Sequence, residues 1–285
     1  MWLILLLVAL VLATTLLHAL VGFAVSAADR GERVRVDAQT VGLLVREACA
    51  RAVLFLVRPL GLGQPPPVPS ASSQATNGAE RGRVPVVLVP GHGQNRAALH
   101  FLRIFLKSRG WQWVWPVNVA SRDSTLADMA AELGRRVDDL CRATGAEQVD
   151  VVGHSLGGLV AAWYVHHLEG VTRVRRMVTL GAPWKGTRMA VFSRSKVASE
   201  IGVGAPVLDG LAPPPVPTVS VWSPHDNLVV PCDSAAPEGV EAVCIEGLGH
   251  TEMLLSARVF RAAQAALPHL PSTVPAAPDE ASSMP

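Results

Sequence analysis

The residues best suited to chemistry are Gly153-His154-Ser155-Leu156-Gly157, a Gly-x-Ser-x-Gly pattern. A serine hydroxyl at neutral pH is a weak nucleophile. It needs a base to take its proton, and the base needs a carboxylate to orient it. The pattern gains weight from its flanks: residues 148–152 read as a strand and residues 156–168 as a helix. Ser155 therefore falls on a tight strand-to-helix turn. Glycines two residues to either side have a steric purpose there, since side chains at those positions would clash. The helix N-terminus also directs backbone N–H groups to where negative charge would develop. The alternative is a Gly-rich turn without chemistry.

Such a serine needs a scaffold. Over residues 84–267, short β-branched runs alternate with helical patterns. Strands are expected over 84–90, 111–117, 148–152, 174–180, 216–222 and 240–246. Helices are expected over about 96–109, 126–143, 156–168 and 254–267. This alternation predicts a mostly parallel sheet with helices on both faces. The run Val86-Val87-Leu88-Val89 suits a strand buried on both sides.

With these elements in place, the chain resembles the α/β-hydrolase superfamily, and within it the bacterial lipases and esterases of the triacylglycerol lipase type. The likeness covers about residues 84–267. Val86-Val87-Leu88-Val89-Pro90-Gly91-His92-Gly93 resembles the strand and oxyanion loop of lipases, with Pro90-Gly91 where those lipases usually carry His-Gly. Gly153–Gly158 is similar to their nucleophile turn. The stretch 178–187, Val-Thr-Leu-Gly-Ala-Pro-Trp-Lys-Gly-Thr, is similar to the segment after their next strand.

The resemblance implies an α/β-hydrolase fold and the chain order nucleophile, acid, base. That order selects among nine histidines. His250 sits in Gly247-Leu248-Gly249-His250-Thr251, between the last strand and the last helix, where the family places its base. Asp226 follows the preceding strand and is the expected acid. A turn-forming role is its alternative, given Pro224 and Asn227, while Asp209 and Asp233 follow a strand less directly. In the implied reaction His250 takes the proton of Ser155, which attacks an ester carbonyl, and Asp226 holds the imidazole tautomer. The backbone N–H groups of Leu156 and His92 would receive the oxyanion. Water then releases the acyl group, and neither metal nor organic cofactor is called for.

An acyl site is expected between the strands at 174–180 and 216–222, with Trp184, Met189 and Phe192 as substrate-binding candidates. A surface helix and a proline loop are the alternative for that stretch. Trp111, Trp113 and Trp115 alternate with strand period and read as core. Cys49, Cys141, Cys232 and Cys244 form no metal-binding spacing. A Cys232–Cys244 disulfide would tie the acid and base loops together and imply an oxidising compartment; free thiols are the alternative.

The chain has 285 residues, 49% hydrophobic and 17% charged, with a net charge of +2. This excludes wholesale disorder and gives no reason to expect nucleic acid as partner. Much of the apolar excess lies at the start, where residues 1–28 contain no Asp, Glu, Lys or Arg. That length suits a membrane-spanning hydrophobic helix, which needs about 20 apolar residues. A cleaved signal peptide, leading to a secreted or periplasmic enzyme, and a buried helix are the alternatives. Residues 29–60 read as an amphipathic segment, with Arg46, Glu47, Arg51 and Arg58 on one side of a helix. It would lie at a membrane interface or pack on the main domain. Residues 61–83 read as a Pro/Ser/Gly linker and 268–285 as a disordered tail. The expected function is hydrolysis of carboxylic esters of lipid type at a membrane reached through the N-terminal segment. The alternatives are an acyltransferase with the same triad and a non-catalytic membrane-binding module on this fold. Nothing in the sequence specifies an oligomeric state.

Overall fold

Val86–Val89 forms strand β1, and all four of its side chains are buried. Such a strand must be covered on both faces, and it is. The computed structural model describes residues 2–31, 37–63, 84–119 and 123–267. The further strands are β2 (Val114–Pro116), β3 (Val149–His154), β4 (Val174–Leu180), β5 (Thr218–Trp222) and β6 (Glu241–Cys244). They form one six-stranded sheet in the order β2-β1-β3-β4-β5-β6. Every neighbouring pair is parallel, with Leu88 opposite Val152, Val152 opposite Val178 and Val178 opposite Val219.

Alternation along the strands divides the core in two. Val87, Val89 and Val151 point to one face and pack on α4 (Leu126–Thr144) and α5 (Leu156–His167). Val86, Leu88, Val152 and Val178 point to the other face. There they meet α3 (His100–Ser108) and, beyond a short α6 (Gly170–Arg173), α7 (Ala257–Ala265). Helix α4 buries Leu126, Met129, Leu133, Val137 and Leu140 along one stripe. Each such side chain removed from water contributes roughly 1.5–3 kcal/mol. Its ends are set locally. Thr125 and Asp128 form a reciprocal capping box, and Gly145 closes the helix at φ 71°. The core reading of the three tryptophans holds for Trp111 and in part for Trp115, while Trp113 is half-buried and belongs to neither cluster. Trp111 is buried in the second cluster and Trp115 packs against the first.

The N-terminal segment departs from the sequence picture. Helix α1 spans Trp2–Asp29 and α2 spans Ala38–Val57. Among the described residues no helix is long and apolar enough to cross a membrane. The second half of α1 lies on the α/β domain, where Ala19, Gly22, Ser26 and Ala27 are buried. These residues are small because the approach is close. A Cβ on Gly22 would lie 2.2 Å from the Asn227 carbonyl oxygen. Asp29 pairs with Arg188.

Of the two alternatives for the amphipathic segment, packing on the domain is what α2 does. Its charged side reaches the domain, with Glu47 buried and Arg46 and Arg58 still exposed to solvent. Arg46 Nε donates to Glu252 Oε1 at 2.8 Å, and its guanidinium donates to the Gly247 carbonyl at 2.9 Å. Arg58 donates to the Gly93 carbonyl at 3.0 Å. The start of the expected linker is also docked, because Asn118 Nδ2 donates to the carbonyls of Gly61 and Gly63. The remaining linker expectation and the expected tail lie outside the described residues.

Candidate active site

Ser155 joins β3 to α5 with φ 54° and ψ −125°. Among the described residues it alone has positive φ without being glycine. That backbone costs about 1–3 kcal/mol and persists only where the surroundings impose it. The flanking glycines show how. A Cβ on Gly153 would lie 2.5 Å from the Gly158 nitrogen, and one on Gly157 would lie 2.3 Å from the Val89 carbonyl oxygen. The Ser155 N–H donates to the Leu180 carbonyl at 2.8 Å, fastening the turn to β4. Strand, turn and helix are thus pressed against their neighbours at the one place where the hydroxyl is presented.

The expected acid and base meet. His250 Nδ1 donates to Asp226 Oδ2 at 2.7 Å, and both side chains are buried. The other Asp226 oxygen accepts the N–H groups of Leu228 and Val229, each at 2.8 Å. With Nδ1 committed as donor, His250 presents Nε2 as a lone pair. Ser155 and His250 line one cavity of about 660 Å³, together with His92, Met189, Phe192 and Ile201. Helix α1 contributes Thr14, Thr15 and His18 to the same cavity.

The loops that carry Asp226 and His250 are joined by hydrogen bonds rather than sulfur. Ser223 Oγ donates to the Leu248 carbonyl at 2.8 Å, the Gly247 N–H to His225 Nδ1 at 3.1 Å, and the His250 N–H to Asn227 Oδ1 at 3.1 Å. Cys232 and Cys244 are both free thiols, so the disulfide alternative is not realised. Cys244 lies on exposed β6.

The oxyanion expectation fits the donors left over. Gln94 Oε1 accepts the Gly91 N–H at 3.0 Å. Among the described residues no acceptor engages the N–H of His92 or of Leu156. His154 Nδ1 lies 3.1 Å from the same Gln94 oxygen, and its Nε2 lies 3.4 Å from the His250 carbonyl oxygen. The His154 ring is fully buried, 4.7 Å from that of His250. Burial, and then the neighbouring His250, push its pKa well below the ordinary imidazole value, so it is neutral. Burial lowers His92 as well, and its Nε2 lies 2.7 Å from Ser195 Oγ.

Of the acyl-site candidates, Met189 and Phe192 line the cavity, but Trp184 does not. Trp184 is 2% exposed and sits in the core against the first cluster. Sequence reasoning missed Asn227, Gln94 and His154. Only His154 carried a signal, its place beside the serine. Among the described residues no group of three or more His, Cys, Asp or Glu is disposed to hold a metal ion.

Residues 89–201 match the family described as alpha/beta hydrolase fold. Among solved structures, mature Bacillus licheniformis lipase BlEst2 is similar at a TM-score of 0.60 and 14% identity, over 68% of this chain and 94% of that one. Its propeptide form is similar at 0.57 and 14% identity, over 75% and 55%. Aspergillus fumigatus lipase B is similar at 0.59 and 16% identity, over 92% and 81%. At these identities the likeness is one of fold.

Proposed function

Because this chain has the α/β-hydrolase fold, we propose that it is a serine hydrolase cleaving carboxylic esters of lipid type, with Ser155, Asp226 and His250 as its triad. The observation that carries this reading is the strained serine of β3–α5 sharing a cavity with a histidine held on a buried carboxylate. His250 Nε2 accepts the Ser155 proton as Oγ attacks the ester carbonyl. Negative charge moves onto the carbonyl oxygen, facing the N–H groups of Leu156 and His92, each worth roughly 10²–10³ in rate. His250 then gives the proton to the departing alcohol. Water repeats the sequence on the acyl-enzyme, releasing the acid and restoring Ser155.

An apolar acyl group suits the cavity wall formed by Leu54, Phe55, Met189, Phe192 and Ile201. Exposed Leu16, Leu17 and Leu20 on α1, with Val191 at 80% and Phe192 at 63% exposure, support work at a lipid surface reached through the N-terminal segment. The test is hydrolysis of p-nitrophenyl esters of increasing acyl length, with and without micelles. Rising kcat/KM from acetyl to medium and long chains is expected. Activity confined to acetyl and propionyl esters overturns the lipid-type reading.

A further inference from the structure

Glu47 on α2 is 0% exposed, an unusual place for a carboxylate. Its oxygens accept the N–H of Thr251 at 2.9 and 3.1 Å and the N–H of Glu252 at 3.0 Å. Arg51, one turn along α2, donates to it at 3.1 Å and balances its charge. Thr251 and Glu252 immediately follow the proposed base. They open the 3₁₀ turn Glu252–Leu255, which has no cap of its own, since the Thr251 side chain makes no capping hydrogen bond. A carboxylate more than two hundred residues away in the chain supplies the missing cap. The loop is shaped to receive it. A Cβ on Gly249 would lie 2.5 Å from Glu47 Oε2.

We propose that Glu47 is a positioning residue for the ester-cleaving reaction, acting through the backbone that carries His250. The assignment rests on His250 being the base. His250 is held before and behind: its own N–H by Asn227, and the next two N–H groups by Glu47. Its side chain is then free to do nothing but bridge Asp226 and the cavity. A glutamine at position 47 keeps size but offers one acceptor where the loop and Arg51 demand two, so an amide N–H group opposes a donor. The loop shifts, and displacements near 1 Å in such sites cost about a hundredfold in rate. Helix α2 thereby belongs to the catalytic apparatus, although it lies outside the residues matched to the hydrolase family.

The test compares full-length wild type with Glu47→Gln on a soluble ester, together with the rate of fluorophosphonate labelling. The expected result is a 10- to 100-fold fall in kcat and in labelling rate, with KM changed less than threefold. Wild-type kcat in the folded variant overturns the proposal, even if its Tm is lower, because a purely structural role would lower Tm alone. If Glu47→Gln does not fold, Gly249→Ala is read in its place. Its new Cβ displaces the carboxylate, and the same loss in kcat is expected; wild-type kcat there overturns the proposal equally. Labelling of the wild type, absent in Ser155→Ala, reports separately on whether the triad reading itself stands.

Discussion

Asp226→Asn probes the proposed triad at its most constrained atom. One Asp226 oxygen accepts two backbone N–H groups and the other accepts His250 Nδ1–H. An asparagine has a single carbonyl oxygen. Directed at His250, it leaves an NH2 group facing the N–H groups of Leu228 and Val229. Directed at those two, it satisfies both and turns the NH2 group toward Nδ1. The second arrangement opposes fewer donors, and it forces the imidazole to carry its proton on Nε2. That nitrogen then has no lone pair for the Ser155 hydroxyl. Loss of the correct tautomer costs about 10⁴ in kcat in comparable triads, or roughly 5 kcal/mol of transition-state stabilisation. The fold should tolerate the change, since the backbone N–H groups keep an acceptor. Asp226→Ala strips that acceptor from both, at about 1–3 kcal/mol for each buried donor. Steady-state hydrolysis of a soluble ester, beside urea unfolding of both variants, separates the effects. The expected pattern is an asparagine variant that is stable and nearly inactive, and an alanine variant that is inactive and destabilised. An asparagine variant within tenfold of wild-type kcat would refute the tautomer argument.

Three further outcomes follow from the geometry. Ser155→Gly relieves a backbone that disfavours any Cβ, so stability should rise by about 1 kcal/mol and Tm by about 2–4 °C while activity vanishes; an unchanged or lowered Tm contradicts the strain. His154 is held neutral by burial, and its folded pKa lies well below the unfolded one. The unfolded chain takes up that proton near pH 6.5 and the folded chain refuses it, so the stability is present above that pH and lost as pH falls. Between pH 7.5 and 5.0 the unfolding free energy from urea titrations should fall by up to about 2 kcal/mol. His154→Gln should flatten that slope, and an unchanged slope rejects the assignment. Finally, replacing exposed Leu16 and Leu17 by glutamate should weaken flotation with phosphatidylcholine vesicles at least tenfold, given about 1.5–3 kcal/mol for each buried leucine. Equal flotation removes α1 from the membrane reading.

The sheet was legible because its signals are local. Residues 174–180 are β4 to the residue, and the cap at Thr125 and Asp128 lies in four consecutive positions. Strand β2 is shorter than expected, since Trp111 and Trp113 lie before its paired residues. What escaped were pairings distant in sequence. Periodicity placed Glu47 on a charged face of α2 but held no information on the partner, the backbone beyond His250. Asn227 looked like a turn residue until the β5 and β6 loops came together. Trp184 has the size for either an acyl wall or a core, and neighbouring side chains, not composition, decided for the core. The apolar stretch 1–28 reads alike whether lipid or protein covers it, and the small residues Ala19, Gly22 and Ser26 mark where its second half packs closely on protein.

In the proposed reaction Ser155 is a nucleophile activated by His250. Fluorophosphonate labelling followed by peptide mass spectrometry tests it most directly. The expected result is one adduct, on Ser155, formed rapidly in the wild type and suppressed in His250→Ala. An adduct elsewhere, or none on folded wild-type protein, would contradict the account.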